Sequence, residues 1–304
     1  MITIQLKNTL LKKFKNLTTR FIMSNVRPYQ LASRPLLGAE VHGIDLTGNV
    51  SSSVIEMIKK DVTDHRIVIF RNQNPISGHR QVEISQWFGQ LESTFYKHPK
   101  SPHPDVFRVS NVESEGCVGV GRTGWHIDGS FQSEPFSHSL YYMHHVPKHG
   151  DTAFIPLNDV LKKISEVKRQ RWERLWMCSD RRGYHSHPLV YPHPITGLKT
   201  LCFHLGMTDA FIWDKGTPNE HLTTPEETQK ILADIHSEII SSQLIYRHKW
   251  RVGDFIISDN LAVGHEATEE TQHDPELVGL RILHRTTIKG VKQPSKDNPC
   301  KDTI

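Results

Sequence analysis

The sequence predicts a mostly β domain with flanking helices, whose core is a β-sandwich or a double-stranded β-helix (jelly roll). Short runs of β-branched, aliphatic and aromatic residues, separated by turn residues, dominate the middle and the carboxy-terminal part of the chain. Between these runs, only a few stretches have the apolar spacing of a helix. The chain has no internal repeat and no clear linker, so residues 24–304 are expected to form a single domain.

Each predicted strand is a short apolar run that ends at turn-forming residues. Residues 65–71 are β-branched and apolar on both faces, which is typical of a buried strand. The further strands are predicted, in chain order, at residues 106–112, 124–130, 139–146, 152–156, 189–191, 200–203, 244–246, 255–257 and 280–288.

Two short helices are predicted in the first third of the chain, where apolar residues recur every three or four positions. Residues 54–62 have this spacing, and residues 81–88 have it up to Gly89. A longer helix is expected to begin at Asn158 as its cap, with an apolar side that extends to Trp176.

A further helix is predicted by a clear start signal at Thr224. Thr224 is followed by Pro225, which suits the first helical position, and by Glu227, which completes a capping box. The apolar side of this helix includes Ile231 and Ile239.

The composition is that of an ordinary globular protein, with 37% hydrophobic and 23% charged residues. No apolar run approaches the roughly 18 residues of a membrane span. The formal net charge of +4 is small and evenly spread, which argues against nucleic acid as a partner. The four cysteines lie far apart without a CxxC pair, which indicates a reducing compartment such as the cytoplasm. We therefore expect a small-molecule substrate, no nucleic acid and no membrane, and leave open a homo-oligomer.

The amino-terminal segment is basic and contains no acidic residue before Glu40. Leu10, Phe14, Leu17 and Phe21 lie on one helical stripe. Residues 1–23 therefore resemble a mitochondrial transit peptide, which would make a mitochondrial location possible. The alternatives are a disordered basic tail, or an upstream extension of a chain that naturally starts at Met23.

Residues 124–130 contain the pattern His126-x-Asp128. In an extended strand, alternate side chains share a face, so the imidazole and the carboxylate point the same way. Non-haem Fe(II) oxygenases bind iron with two histidines and one carboxylate and leave the opposite side of the metal open. The pattern alone is weak evidence, because such triplets often arise by chance.

The carboxy-terminal strand places two arginines on one face. Strand alternation puts Arg281, Leu283, Arg285 and Thr287 on the same side. Two buried arginines without partners are costly, so this face either contacts solvent or binds anions. The planar guanidinium group suits a carboxylate.

A third histidine, His265, follows a predicted strand and a bend of small residues. This position is suitable for a metal ligand.

The set of motifs, taken in chain order, resembles the taurine dioxygenase / TfdA-type family of Fe(II)- and 2-oxoglutarate-dependent dioxygenases, over about residues 41–290. The motifs are His126-x-Asp128, Gly150-Asp151-Thr152, Trp250-x-x-Gly253-Asp254, Asp259-Asn260, His265 and Arg281-Ile282-Leu283-His284-Arg285.

The resemblance implies a role for five residues. His126, Asp128 and His265 correspond to the iron ligands of the family. Thr152 and Arg281 correspond to the residues that hold the distal carboxylate of the co-substrate 2-oxoglutarate. The family uses O2 to oxidise a substrate, usually by hydroxylation, and releases succinate and CO2. One departure from the family is the longer loop at residues 266–280.

The resemblance also bears on the substrate. The histidine and the aspartate that help to bind taurine in the family's namesake correspond here to Thr94 and Gly121, so taurine itself is not expected. Arg285 corresponds to an arginine that faces the sulfonate in that enzyme. Together with Arg122, it suggests a small anionic or zwitterionic substrate.

Two alternatives stay open. The first is a hydroxylase of a quaternary-ammonium acid, like the enzymes of the carnitine pathway, which would need an aromatic cage for the cation. The separate zinc-binding domain of those enzymes is absent from the sequence. The second is a non-catalytic jelly-roll module with a structural metal, although a structural zinc site usually has four ligands. A zinc hydrolase would share the three ligands but would not explain Thr152 and Arg281.

Overall fold

The computed structural model describes residues 27–92, 97–121, 124–180 and 185–297. These residues form a strand-rich mixed α/β structure with several sheets. The predicted basic extension at residues 1–23 lies outside the described residues, as do Thr94 and Arg122. None of the described helices is long and apolar enough to cross a membrane.

The largest sheet has seven strands, and its neighbours are antiparallel except for one parallel pair. Across the sheet, the strands lie in the order β1 (Gln30–Ser33), β2 (Ala39–His42), β3 (Ile67–Phe70), β14 (Phe255–Asp259), β5 (His138–His145), β16 (Ile282–Ile288) and β4 (Phe107–Ser110). The parallel pair is β2 with β3.

Three smaller sheets complete the strands, and all of their pairs are antiparallel. The three-stranded sheet has the order β13 (Tyr246–His248), β6 (Thr152–Pro156) and β15 (Val263–Ala267). The four-stranded sheet has the order β12 (His221–Leu222), β11 (Thr208–Trp213), β7 (Leu175–Ser179) and β8 (Ser186–Pro188), and the two-stranded sheet pairs β10 (Lys199–Leu201) with β9 (Val190–Pro192).

The helices lie between and around the strands. They are α1 (Ser52–His65), α2 (Gly78–Gln86), α3 (Leu157–Lys163), α4 (Glu166–Glu173), α5 (Pro225–Ser241) and α6 (Pro275–Val278), with a short 3-10 helix at Glu269–Gln272. α1 and α2 contribute Ile58, Val62 and Ile84 to a buried cluster on one face of the seven-stranded sheet.

The opposite face of the seven-stranded sheet packs against the three-stranded sheet. One buried cluster combines Tyr141 and Leu283 from the large sheet with Phe154 and Val263 from the small one. The neighbouring residues of β6, Ala153 and Ile155, belong to a different cluster beyond the small sheet. β6 therefore packs on both faces, and the interior between the two sheets is the place where the functional side chains meet.

Most predicted elements are confirmed, within a few residues at their ends. β6 has the predicted bounds of residues 152–156, and the strands predicted at 139–146 and 280–288 appear as β5 and β16. The start of α5 is also confirmed, because the Thr224 side chain accepts a hydrogen bond from the backbone of Glu227.

The prediction of one long helix from Asn158 to Trp176 is wrong. α3 ends before Ile164, which is extended, and Ser165 caps the separate helix α4. The apolar residues that follow lie in the strand β7. Asn158 is not the cap, since its side chain donates a hydrogen bond to the carbonyl of Lys199 at 2.9 Å. Apolar spacing alone does not reveal this break, because Ile164 fits the helical period.

The strand predicted at residues 124–130 is also wrong. Only His126 makes bridges there, one to His204 and one to His265, and the chain turns from Asp128 onward. His265 follows β14 and a turn, as predicted, and lies within β15. Strand alternation is a pattern over several residues. Because only His126 forms bridges here, the sequence around it does not show whether the segment is a strand or an isolated bridge.

Candidate metal centre

Three side chains with metal-binding atoms meet at one place. His126 and Asp128 come from the segment after Gly124, and His265 comes from β15. One ligand atom of each lies within 4.8 Å of the others, and all three residues are buried. Across the described ranges, no other group of three His, Cys, Asp or Glu side chains has this spacing. The structure thus brings together the three residues that the sequence resemblance implied.

The position of His126 is fixed by its backbone and by one side-chain hydrogen bond. His126 N donates to His265 O at 3.1 Å, and His265 N donates to His126 O at 2.9 Å. His126 Nδ1 lies 2.7 Å from the carbonyl oxygen of Gly124. Because a carbonyl only accepts hydrogen bonds, Nδ1 carries the proton, and the lone pair of Nε2 is available to a metal.

Asp128 is held at its backbone and at both carboxylate oxygens. The Asn260 side chain accepts from Asp128 N at 2.8 Å and donates to Asp128 O at 2.9 Å. Arg285 Nη1 donates to Oδ1 at 2.6 Å, and Ser139 Oγ donates to Oδ2 at 2.7 Å. Oδ1 keeps a further lone pair, so these contacts orient the carboxylate without preventing it from binding a metal.

Burial and charge keep the three residues in the protonation states that a metal requires. Burial lowers the pKa of His265 to about 3, and burial also lowers the pKa of His126. Burial acts to raise the pKa of Asp128, but the Arg285 guanidinium holds it below its usual value. At neutral pH the site offers two neutral imidazoles and one carboxylate, which is the donor set of non-haem Fe(II) oxygenases.

Arg281 is a buried cation. Its side chain is 5% exposed, and its Nε has no hydrogen-bond partner. Among the described residues, no carboxylate forms an ion pair with it, and burial lowers its pKa to about 10. Its backbone is held by Asn111, whose side-chain oxygen accepts from Arg281 N at 2.9 Å. A buried charge without a counter-charge is costly, so this guanidinium fits an anionic ligand such as a carboxylate.

Thr152, the first residue of β6, is also buried. Its Oγ1 accepts a hydrogen bond from Trp250 Nε1 at 3.0 Å, which leaves its own O–H to donate. Within the described structure, no hydrogen bond joins Thr152 to Arg281. A shared carboxylate that links these two residues therefore stays a prediction.

Arg285 lies directly at the metal centre. Besides its ion pair with Asp128, its guanidinium carbon lies 5.1 Å from the centre of the Phe107 ring. Its Nε is buried and has no hydrogen-bond partner. The side chain thus combines a contact to a ligand residue with a donor that remains for a bound anion.

The residue-by-residue reading of the sequence missed three neighbours of the centre. Ser139 contacts Asp128, as described above. The Tyr141 hydroxyl lies 3.3 Å from His265 Nε2. The His204 ring stacks on that of His126 with 4.6 Å between centroids, and burial lowers the pKa of His204 to about 2. Strand alternation puts Ser139 and Tyr141 on one face of β5, but it does not show what that face meets.

Comparison with known proteins agrees with this geometry. Residues 25–287 match the family described as "Taurine catabolism dioxygenase TauD, TfdA family". The alpha-ketoglutarate-dependent 2,4-dichlorophenoxyacetate dioxygenase of Cupriavidus pinatubonensis is 28% identical over 265 residues, which cover 76% of this chain and 88% of that protein. The alpha-ketoglutarate-dependent sulfate ester dioxygenase of Pseudomonas putida is 24% identical over 281 residues, which cover 84% and 87% of the two chains.

The fold is likewise similar to that of solved structures. A taurine dioxygenase from Burkholderia xenovorans has a TM-score of 0.72 and 26% sequence identity to this chain. The superposition covers 90% of this chain and 94% of that one.

Proposed function

Because the chain belongs to the taurine catabolism dioxygenase TauD, TfdA family and is a 2-oxoglutarate-dependent dioxygenase, we propose that it hydroxylates a small anionic or zwitterionic metabolite. Its iron ligands in this proposal are His126, Asp128 and His265. The observation that carries the proposal is the convergence of these three buried side chains, one of which pairs with Arg285. A second buried arginine, Arg281, has no acidic partner in the described part of the chain.

The residues around the centre have distinct tasks. When bound, Fe(II) and 2-oxoglutarate supply the oxidising chemistry, in which O2 is consumed, the co-substrate yields succinate and CO2, and the substrate gains one oxygen atom. Arg281 pairs with the distal carboxylate of the co-substrate, and the Thr152 hydroxyl donates to the same group. Asn260 and Ser139 keep the Asp128 carboxylate in place. Burial of these groups excludes water and strengthens each ion pair.

The charges of the site favour an anionic substrate. Asp128 and the doubly charged co-substrate carry three negative charges, whereas the ferrous ion, Arg281 and Arg285 together carry four positive charges. One positive charge is left over, and Arg285 has an unpaired buried Nε to offer. The two relatives described above are named for an aryloxyacetate and for sulfate esters, both of which are anions. The Arg285 guanidinium at the metal centre would repel a quaternary ammonium group, which disfavours a carnitine-type substrate.

We also infer that the two facing sheets form the double-stranded β-helix, or jelly roll, that the sequence predicts. The support is the shared buried cluster between β5 and β16 on one side and β6 and β15 on the other. A sandwich of this kind encloses a polar site between two apolar faces.

The first experiment is an anaerobic titration of the Fe(II)-loaded protein with 2-oxoglutarate, followed by the visible charge-transfer band of the complex. We expect the wild-type protein to develop the band. Arg281→Ala should need about a hundredfold or more co-substrate for the same signal, because loss of one partner of a buried ion pair costs about 3–5 kcal/mol.

Arg247→Ala is the matched control, because this arginine is 59% exposed and pairs only with Glu270 at 3.6 Å among the described residues. It should titrate like the wild-type protein. Absence of the band in wild-type protein that has bound iron would refute the proposed function. An unchanged titration of Arg281→Ala would refute the role of Arg281 alone.

A further inference from the structure

Tyr141 places a phenol at the metal centre. It lies in the middle of β5, whose neighbours β14 and β16 pair with it on both sides. The residue is 2% exposed. Across the sheet it pairs with Arg285, so both side chains reach the same carboxylate from adjacent strands.

The phenolic oxygen forms a nearly equilateral triangle with two ligand atoms. It lies 3.3 Å from His265 Nε2 and 3.5 Å from Asp128 Oδ2. The third side, between His265 Nε2 and Asp128 Oδ2, is 3.6 Å. The hydroxyl is therefore as close to each of these ligand atoms as the two ligand atoms are to each other.

These distances lie within about 0.2 Å of those expected for atoms that share a metal ion. Metal–nitrogen and metal–oxygen bonds of about 2.1 Å hold two adjacent donors about 3.0–3.4 Å apart, for right-angled and tetrahedral arrangements respectively. The Tyr141 oxygen lies 3.5 Å from Asp128 Oδ2, which is shorter than the 3.9 Å between His126 Nε2 and Asp128 Oδ1 within the cluster itself. A hydroxyl held by a central strand cannot move away without a change of its rotamer.

We propose that Tyr141 is a fourth protein donor to the metal, which binds through its phenolic oxygen while 2-oxoglutarate is absent. This inference rests on the proposed iron site. The phenolic proton passes to solvent as the oxygen–metal bond forms. The co-substrate then displaces the phenolate, which takes up a proton from solvent as the oxygen–metal bond breaks, because the two donor atoms of the co-substrate need neighbouring positions on the metal. Tyr141 thus closes part of the open side of the centre until the co-substrate arrives.

The test uses full-length protein loaded with Fe(II) and oxidised to Fe(III) without co-substrate. A phenolate bound to Fe(III) gives an intense visible charge-transfer band, and resonance Raman excitation in that band shows the ring vibrations of tyrosinate. We expect both signals in the wild-type protein and loss of both in Tyr141→Phe. Addition of 2-oxoglutarate to the wild-type protein should bleach the band.

Tyr142→Phe is the matched control, since Tyr142 is the next residue of β5 and packs in the cluster on the opposite face of the sheet. It should keep the band. Bound iron is measured in every sample, and the wild-type Raman spectrum decides the question even if Tyr141→Phe does not fold. Iron-loaded wild-type protein without tyrosinate vibrations, or a band that persists in Tyr141→Phe, overturns the proposal. The Fe(II)–2-oxoglutarate band of the same protein then shows whether the proposed function still stands.

Discussion

Asp128 has its two carboxylate oxygens bound by side chains from different strands of the seven-stranded sheet. Arg285 on β16 donates to one oxygen, and Ser139 on β5 donates to the other. The backbone of Asp128 is held by Asn260 after β14. A carboxylate that is already fixed at three points loses little conformational freedom when it binds a metal, which increases the affinity of the site for the metal.

Removal of the Ser139 hydroxyl tests this arrangement at the level of one residue. Ser139→Ala should weaken Fe(II) binding about tenfold or more, because the loss of a hydrogen bond to a metal ligand typically lowers affinity by about 10–100-fold. The dissociation constant is measured anaerobically by competition with a coloured chelator. Ser137→Ala removes a hydroxyl that donates to the backbone of Lys289, outside the centre, and should bind Fe(II) like the wild type. Equal affinities of the two variants would contradict the prediction.

At the level of one element, β16 has two faces with different tasks. The inner face carries Leu283 and Arg285 toward the three-stranded sheet. On the outer face, Thr286 bonds to Ser85 of α2 at 2.6 Å, and His284 Nε2 accepts a hydrogen bond from Arg108 at 2.8 Å. The outer histidine is therefore buried in its neutral form, since protonation would break the contact with Arg108.

This arrangement makes the stability of the fold depend on pH. Burial, His144 and Arg108 lower the pKa of His284 to about 3, whereas a histidine in the unfolded chain has a pKa of about 6.5. Between these values the unfolded chain binds a proton that the folded chain does not. The free energy of unfolding should therefore fall as the pH falls from about 6.5 toward about 3.

Urea unfolding at about pH 7.5 and about pH 5, on either side of the unfolded pKa, measures the effect. The loss of stability between the two conditions should be smaller in His284→Gln than in the wild type. His236→Gln, which changes an exposed histidine of α5, should keep the wild-type difference. A His284→Gln protein with the full wild-type loss would show that His284 does not carry the effect.

At the level of the whole molecule, the metal centre connects the two sheets. His265 belongs to β15 of the three-stranded sheet, whereas Ser139, Tyr141 and Arg285 belong to the seven-stranded sheet. An ion and a co-substrate at this place contact both layers of the sandwich. Their binding should therefore stabilise the fold as one cooperative unit.

Thermal unfolding under anaerobic conditions measures this coupling. Fe(II) with 2-oxoglutarate at about one hundred times the dissociation constant should stabilise the protein by about 2.7 kcal/mol, which raises Tm by several degrees. Asp128→Ala should show no rise, because it lacks the charged ligand. A single shifted transition is expected, and two separate transitions would show that the layers unfold independently.

The amino-acid sequence by itself determined where several strands and one helix lie and which side chains can donate atoms to a metal. Short apolar runs next to turn residues predicted β6 and β16, and the capping box predicted the start of α5, because both are local properties of neighbouring residues. The residue types at His126 and Asp128 limited the metal chemistry before any geometry was known.

Only the tertiary structure decided which side chains surround the donors. The sequence predicted a strand at residues 124–130, whereas the chain there is held by bridges from His126 to two distant segments. It also did not reveal that Ser139 and Tyr141 meet Asp128, since strand pairing and sheet packing join residues far apart in the chain. The physical reason is that alternation fixes the face of a strand on which a side chain lies, while the partner of that face depends on contacts that no local pattern encodes.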